Sequence, residues 1–369
     1  MRGPLTAALA AATLVLTACG SDAAPPPGPT TAAPTSSAAQ AAAPPPRAFT
    51  IAATGDVLIH PALTTQATSD GNGTRDYTKL FAGVKTAISG ADLAICHLEV
   101  PIAAPGGPFK GYPSFNAPPE VVTALKATGY DTCSTASNHT LDQGLDGVKR
   151  TLDALDAAGL KHTGSARTAP EAAKPVIYEV NGVKVGHISH TFGFNGLKLP
   201  ADKPWLSNQI SAESVLKAAR ATKAAGAEVV LASLHWGIEY RHDPTTEQKQ
   251  LAAKLLDDPA IDLIIGHHAH VVQPIAKVAG KWVAYGLGNH IAKHEEPRGV
   301  TEEGVLARFR FAQSNSGWQV TADYLPTLVD LGPPIRLRTL KPGENEAAKR
   351  IDRIVRSAGI TPADLPVGS

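Results

Sequence analysis

Cysteine is scarce in this 369-residue chain. Cys19, Cys96 and Cys133 are all it has, and no two of them stand at a metal-ligand spacing, so a thiolate metal site is excluded. A charge of one sign is missing too. The 34 Lys and Arg are scattered among 33 Asp and Glu, for a net charge of +1, which leaves no basic field to hold nucleic acid. There is no Walker loop, no dinucleotide fingerprint and no Gly-x-Ser-x-Gly elbow, which removes nucleotide-binding and serine-hydrolase chemistry. No internal repeat is visible at a period of about 20 to 50 residues, which sets repeat architectures aside.

What is present begins with an export signal. Arg2 is followed by the apolar stretch LTAALAAATLVL, too short to span a bilayer. It runs into LTAC at residues 16–19, which resembles a bacterial lipobox, where Cys19 is lipidated and becomes the mature N-terminus; an ordinary signal peptide is the alternative reading. A lipid on Cys19 would tether the protein to the cell membrane without spanning it. Residues 20–47 are Ala, Pro, Ser and Thr with almost nothing to bury, the composition of a disordered spacer. The expected organisation is therefore a signal over 1–19, a linker over 20–47, one folded domain over 48–340, and a C-terminal helix and tail over 341–369, placed outside the cytoplasm. Cys96 and Cys133 fall in predicted strands of an exported chain; a disulfide is open to them, but buried free thiols are the preferred reading.

From residue 48 strands and helices alternate. FTIAATG, DLAICHLE and YDTCSTAS read as strands, separated by the helical patterns DYTKLFAGVKTAI and PPEVVTALKATG. LDQGLDGVKRTLDALDAAG carries Leu145, Val148, Leu152 and Leu155 at helical spacing, and VIYEVNGVKVGHIS reads as a hairpin turning at Asn-Gly. Helices over SAESVLKAARATKAAG and EQKQLAAKLLDD then alternate with the strands EVVLASLH and IDLIIG. Antiparallel pieces come next, and a last helix lies at ENEAAKRIDRIVRSAG. The whole predicts a layered α/β fold.

Functional groups of open α/β sheets collect just past the carboxyl ends of strands. Here those ends carry Asp56 and His60 (TGDVLIH), His97 and Glu99 (HLE), Asn138, His139 and Asp142 (SNHTLD), His235 (HWG), and His267, His268 and His270 (HHAH). Singly these are ordinary: an Asp after Gly is commonly a turn or cap, and a lone His commonly packs in a core. Three imidazoles within four residues at the end of a buried strand are not ordinary. Imidazole, carboxylate and amide carbonyl together suit Zn, Mn or Fe rather than Ca or Mg, and alternating His268 and His270 of an extended segment would face one way. A site with Asp56 and a second carboxylate such as Glu99 could hold two ions about 3.5 to 4 Å apart, with His60 and the other imidazoles at these strand ends as further candidates. His139, with Asp142 three residues on, is the candidate general acid or charge stabiliser.

The order of ATGDVLIHPAL, ADLAICHLEVPI, YPSFNAPPEVVTALKATGYDTCSTASNHTLDQGLDGVKRTLDALDAAGLKHTGSAR, ISHTFGFNG, LHWGIEYRHDPTTEQKQLAAKLLDD, IDLIIGHHAHVVQPI and YGLGNHI is similar to the CapA family of bacterial capsule (poly-gamma-glutamate) synthesis proteins, related to the calcineurin-like metallophosphoesterases. The resemblance implies a four-layer α/β/β/α sandwich with its motif loops at one rim. It implies metal positions at Asp56, Glu99, Asn138, His235, His268 and His270, with His139 as the catalytic histidine. Tyr112, Asn116 and the segment from Thr191 to Asn195 belong to motifs suited to a substrate cleft. The chain departs from the broader phosphoesterase pattern: the usual Asp-x-His is Asp56 with His60 four residues on, Glu99 stands for an aspartate, and no acid directly follows His139. The resemblance implies a metal-dependent hydrolase acting on an anionic cell-surface polymer such as polyglutamate. A non-catalytic polymer-binding or export accessory of a membrane synthase is its rival.

Overall fold

The computed structural model describes residues 47–368, with Gly28. The export signal, the lipidation position Cys19 and the spacer lie outside the described residues. The chain runs through β1 (Ala48–Val57), α1 (Pro61–Asp70), α2 (Thr78–Phe81), α3 (Lys85–Ser89), β2 (Leu93–Leu98), α4 (Glu120–Thr128), β3 (Thr132–Ser134), α5 (Gly144–Ala157), β4 (Lys161–Thr163) and α6 (Ala169–Ala172). It continues through β5 (Ile177–Val180), β6 (Val183–Thr191), α7 (Ala212–Ala224), β7 (Val229–His235), α8 (Thr246–Asp257), β8 (Leu263–His267), β9 (Ile275–Val278), β10 (Lys281–Ala284) and β11 (Asn289–Ile291). The last elements are β12 (Glu303–Ser314), β13 (Gly317–Asp330), β14 (Arg336–Thr339) and α9 (Glu346–Val355).

Two sheets result. One has the order β14-β13-β12-β1-β2-β3-β4 with β11 also paired to β1, and the other has the order β5-β6-β7-β8-β10-β9. Within them β1, β2 and β3 are parallel, as are β6, β7 and β8. Alternation along the strands assigns the layers. Ile51, Ala53, Leu93 and Ile95 of the first sheet meet Val229, Leu231, Leu263 and Ile265 of the second in one inter-sheet core. The intervening Ala52, Ala94, Cys96 and Leu98 pack with α1 to α5. On the other side Val230, Ala232, Leu234 and Ile264 pack with Val215 and Leu216 of α7 and Ala252 and Leu255 of α8. This is the α/β/β/α layering expected for the chain. α9 joins the inter-sheet core through Ala348, Ile351 and Val355.

Local sequence explains most boundaries. α5 buries Val148, Leu152 and Leu155 along one stripe, and α8 begins with a reciprocal capping box between Thr245 and Gln248. The β5–β6 hairpin turns at Asn181 (φ 49°) and Gly182 (φ 74°), the two left-handed residues its tight turn requires. Elsewhere tertiary contacts win. The single helix predicted over residues 76–88 is broken into α2 and α3, because Gly83 lies against β14, where a Cβ would stand 2.6 Å from the Leu337 carbonyl oxygen. Among the described residues no helix is long and apolar enough to cross a membrane.

The preference for free thiols is corrected by the structure. Cys96 and Cys133 face each other in register on the adjacent strands β2 and β3, with Cα atoms 4.5 Å apart, and form a disulfide. Their fixed register brings the two sulfurs together, which spacing in the sequence does not reveal. The bridge closes a loop spanning 37 positions. Replacing both cysteines by Ala is expected to cost about 2 to 4 kcal/mol of stability. The urea midpoint measured without reductant should fall accordingly, and an unchanged midpoint would show that the bridge contributes nothing.

Candidate metal centre

The polar ends of the two parallel strand sets meet at one rim. Asp56 lies at the end of β1, Glu99 just past β2, Asn138 and His139 past β3, His235 at the end of β7, and His268 and His270 past β8. Two glycines permit the close approach. A Cβ on Gly55 would stand 2.0 Å from the Gly288 carbonyl oxygen, and one on Gly266 would stand 1.9 Å from that of Tyr285. No side chain fits there, so each acid or imidazole is delivered from a backbone pressed against its neighbour. The segment after β8 is not extended as expected from the alternation of its histidines. His268 (φ 90°) and His270 (φ 54°) both sit in left-handed backbone, a strain of order 1 to 3 kcal/mol each.

The ligand atoms of Asp56, Glu99 and His270 lie within 4.8 Å of one another, and so do those of Glu99, His235 and His268. Glu99 belongs to both groups. His270 Nδ1 is 3.2 Å from Asp56 Oδ2 and its Nε2 is 3.7 Å from Glu99 Oε1. His235 Nε2 lies 3.8 Å from the same Glu99 oxygen and 2.9 Å from Asn138 Oδ1. Asn138 is turned by its own amide, which donates to Asn195 Oδ1 at 3.2 Å. Glu239, exposed at the mouth, forms a further group with His268 and His270.

The donor set fits a divalent cation on physical grounds. Both carboxylate oxygens of Glu99, Asp56 Oδ1 and His268 Nδ1 are buried with no hydrogen-bond partner, and a buried charge left unpaired is costly. Burial drives the Glu99 carboxyl well above its usual range. Burial opposes the charge on Asp56 as well, yet the His267 and His270 imidazoles, 3.4 and 3.2 Å from its oxygens, hold it well below the carboxylate range. His270, although burial disfavours its cation, is pushed up to about 10 by Glu99 and Asp56. His268 is pushed down to about 3, chiefly by burial. Without added positive charge the cluster thus keeps protons on Glu99 and His270 that an ion would replace.

Next to this cluster opens a cleft of about 580 Å³, lined among others by His60, Tyr112, His139, Tyr240, His270 and Arg298. His139 Nδ1 is 2.7 Å from Asp142 Oδ2, and the same oxygen accepts from the Phe115 backbone N–H at 2.7 Å. The carboxylate therefore fixes the ring and leaves Nε2 toward the cleft. Tyr112 stands on the rim, 80% exposed. Two other residues stand apart from the ligand groups. His60 packs on Phe115 and His294 in the cleft wall, and burial pushes it down to about 4. Asn116 is buried and donates to the Pro108 carbonyl at 2.6 Å, which ties its own loop rather than reaching the cleft.

Several contributors are not marked out by the sequence reading. Asn289 takes His270 Nδ1 at 3.0 Å and is itself held by the Thr301 carbonyl at 2.9 Å. Lys293, His294 and Arg298 form one wall of the cleft, with the Arg298 guanidinium 4.0 Å above the Tyr240 ring. The signal for them is the polar tail of YGLGNHI, a strand-end segment like the others.

The family described as "Bacterial capsule synthesis protein PGA_cap" matches residues 50–294. The PGA biosynthesis protein CapA of Bacillus subtilis is 32% identical over 208 residues, which cover 54% of this chain and 51% of that protein. A probable polyglutamine synthesis accessory protein of Mycobacterium tuberculosis is 27% identical over 296 residues, 74% of this chain and 75% of its own length. The chain thus spans about half the length of the first of these relatives. Among solved structures, the calcineurin-like phosphoesterase YfkN from Bacillus subtilis aligns with a TM-score of 0.47 at 18% identity, over 84% of this chain and 96% of that one. The span matched by the family model is more than half of the 369 residues and takes in Asp56 through His270; the chain belongs to the bacterial capsule synthesis protein PGA_cap family.

Proposed function

We propose that this protein is an extracytoplasmic, lipid-anchored, metal-dependent hydrolase that works on an anionic cell-surface polymer such as polyglutamate. The observation that carries the reading is a pair of buried carboxylates, Glu99 with neither oxygen partnered and Asp56 with Oδ1 unpartnered, ringed by imidazoles and opening on a cleft that holds His139. Asp56, Glu99, Asn138, His235, His268 and His270 would hold one or two ions of the Mn, Zn or Fe type. Such ions supply a Lewis acid and activate water at neutral pH. The protein's own groups do the rest. Asp142 holds the His139 imidazole so that Nε2 can pass a proton to a leaving oxygen or nitrogen in the cleft. Lys293 and Arg298 on the cleft wall offer cations to carboxylates of the polymer, and Glu239, Glu295 and Glu296 beside them limit how many it can seat. The Cys96–Cys133 disulfide supports an oxidising compartment. A synthase in the membrane is the natural neighbour of a lipid-tethered chain in this family.

A second reading has a specific observation behind it. The place two residues after Asp56, a histidine in the phosphoesterase pattern, is the buried Leu58 on the cleft wall, so one ligand is lost. The accessory reading takes this as a site that grips polymer and turns nothing over. Wild type, His139→Ala and Asp142→Asn should be compared on a generic phosphodiester and on polyglutamate. The hydrolase reading expects His139→Ala to lose about 10² to 10⁴-fold in kcat, with a smaller loss for Asp142→Asn and unchanged metal content in both. Equal, negligible turnover by all three favours the accessory.

Metal loading has its own pH signature. Burial raises Glu99, and Glu99 with Asp56 pushes His270 up to about 10 in the free protein, so at pH 7 ligation must displace the proton on His270 and works against the raised Glu99. Affinity for Mn or Zn is expected to strengthen from pH 6 to pH 8, by about tenfold per pH unit for each proton released. Calorimetry in buffers of different ionisation enthalpy counts those protons, and zero release would contradict the assignment of these two ligands.

A further inference from the structure

Beneath the rim, between the two sheets, lies a layer of buried histidine and serine that the proposed chemistry does not use. His97, His187, Ser233 and His267 are all under 3% exposed. The layer is not a further ion site of good geometry: the rings of His97 and His267 stack at 4.0 Å and 14°, so their in-plane lone pairs lie side by side instead of converging on one point. Within it one chain of contacts is complete. Ser134 Oγ lies 2.8 Å from His97 Nδ1, His97 Nε2 lies 2.9 Å from His235 Nδ1, and His235 Nε2 lies 2.9 Å from Asn138 Oδ1. The Cys96 carbonyl, 3.3 Å from Ser134 Oγ, closes the far end.

Both imidazoles are fully buried, where an unpaired cation is costly, so each has one N–H and one lone pair. Two proton orders then satisfy the contacts among Ser134, His97 and His235, and only the first also satisfies the one to Asn138. In the first, Ser134 donates to His97 Nδ1, His97 Nε2–H donates to His235 Nδ1, and His235 Nε2–H donates to the Asn138 carbonyl oxygen. In the second, the order among Ser134, His97 and His235 is reversed and the bond to Asn138 is given up. Ser134 donates to the Cys96 carbonyl, His97 Nδ1–H donates to Ser134, His235 Nδ1–H donates to His97 Nε2, and the His235 Nε2 lone pair faces the rim. The Asn138 oxygen accepts in the first order and is freed in the second.

We propose that His97 is a positioning residue whose tautomer switches with occupancy of the rim, the first order belonging to the free protein and the second to the protein with an ion on His235 Nε2. The inference rests on the metal reading above. Each imidazole gives up its Nε2 proton and takes one at Nδ1, exchanged with solvent, while the Ser134 hydroxyl turns from one acceptor to the other. No proton is gained or lost by the three groups. The arrangement is braced from behind, because the disulfide pair Cys96 and Cys133 immediately precedes the register pair His97 and Ser134. A second partner that fixes the orientation and tautomer of a ligating histidine is commonly worth about 10 to 100-fold in metal affinity.

Nitrogen-15 spectroscopy of the whole protein, with and without zinc, reads the tautomers directly. The expected result is His97 protonated at Nε2 in the free protein and at Nδ1 after zinc uptake. His97→Gln, whose amide can present either its oxygen or its nitrogen to His235, should bind zinc within about threefold of wild type, whereas His97→Leu should bind about 10 to 100-fold more weakly. A His97 tautomer unchanged in protein shown by metal analysis to contain zinc would overturn the switch while leaving the metal reading intact. Equal zinc affinity in the Gln and Leu variants would also overturn it. Protein that takes up no zinc or manganese would sink the metal reading and the switch with it. The wild-type spectra decide the matter even if a variant fails to fold.

Discussion

Glu99 is a carboxyl group sealed between two sheets with no donor for either oxygen, and most of the rim is arranged around that one unmet demand. Its backbone is pinned by Ser137 Oγ, which donates to the Glu99 carbonyl at 2.5 Å and accepts from the His139 N–H at 3.1 Å. The same serine therefore couples the β2 end to the loop that carries His139. Neither sheet alone can satisfy such a group. The first sheet contributes Asp56 and Asn138, the second contributes His235, His268 and His270, and the acid sits where they meet. A cation between them would convert repulsion and desolvation into attraction, and would join at the rim two sheets that apolar packing joins below it.

The gradient from core to rim tracks strand parity. Val229 and Leu231 of β7 face the other sheet, then Ser233, then His235. Leu263 and Ile265 of β8 are succeeded in the same way by His267, and Leu93 and Ile95 of β2 by His97. Each strand thus runs from apolar to polar on one face within a few residues, which places the hydrogen-bonding layer directly beneath the ligands. Part of the layer satisfies itself, His97 with Ser134 and His235 and His187 with Ser233, and imidazole donates and accepts there in fixed directions, whereas both ring nitrogens of His267 lack a partner.

That gradient is also why so much is legible in the sequence. The apolar runs ending in Asp56, Glu99, Asn138, His235 and the histidine triplet mark both the strands and their functional ends, and the layering comes from the alternation of strands and helices. What is not legible depends on contacts distant in the chain. Cys96 and Cys133 pair because β2 and β3 adopt one register, and Gly83 breaks a helix because β14 lies against it. α1 has only Leu63 and Ala67 buried, too weak a stripe to stand out. His60, four residues past Asp56 in the sequence, is carried by the turn into α1 onto the cleft wall, and Asn116 is consumed by its own loop.

The backbone strain at His268 and His270 bears on which of these features is a cause and which a consequence. Left-handed backbone at two bulky residues separated by one alanine is unfavourable by itself. It persists because the His268 N–H is held by Asp56 Oδ2 at 3.1 Å, His270 Nδ1 by Asn289, and Gly266 is pressed against Tyr285. An extended HHAH would relieve the strain but swing His268 away from Glu99 and His235, and His270 away from Asp56. The surrounding contacts therefore over-determine a geometry that the segment would not adopt alone. Strain concentrated at two candidate ligands, and held from three directions, is what a preorganised centre would require and what a merely packed strand end does not.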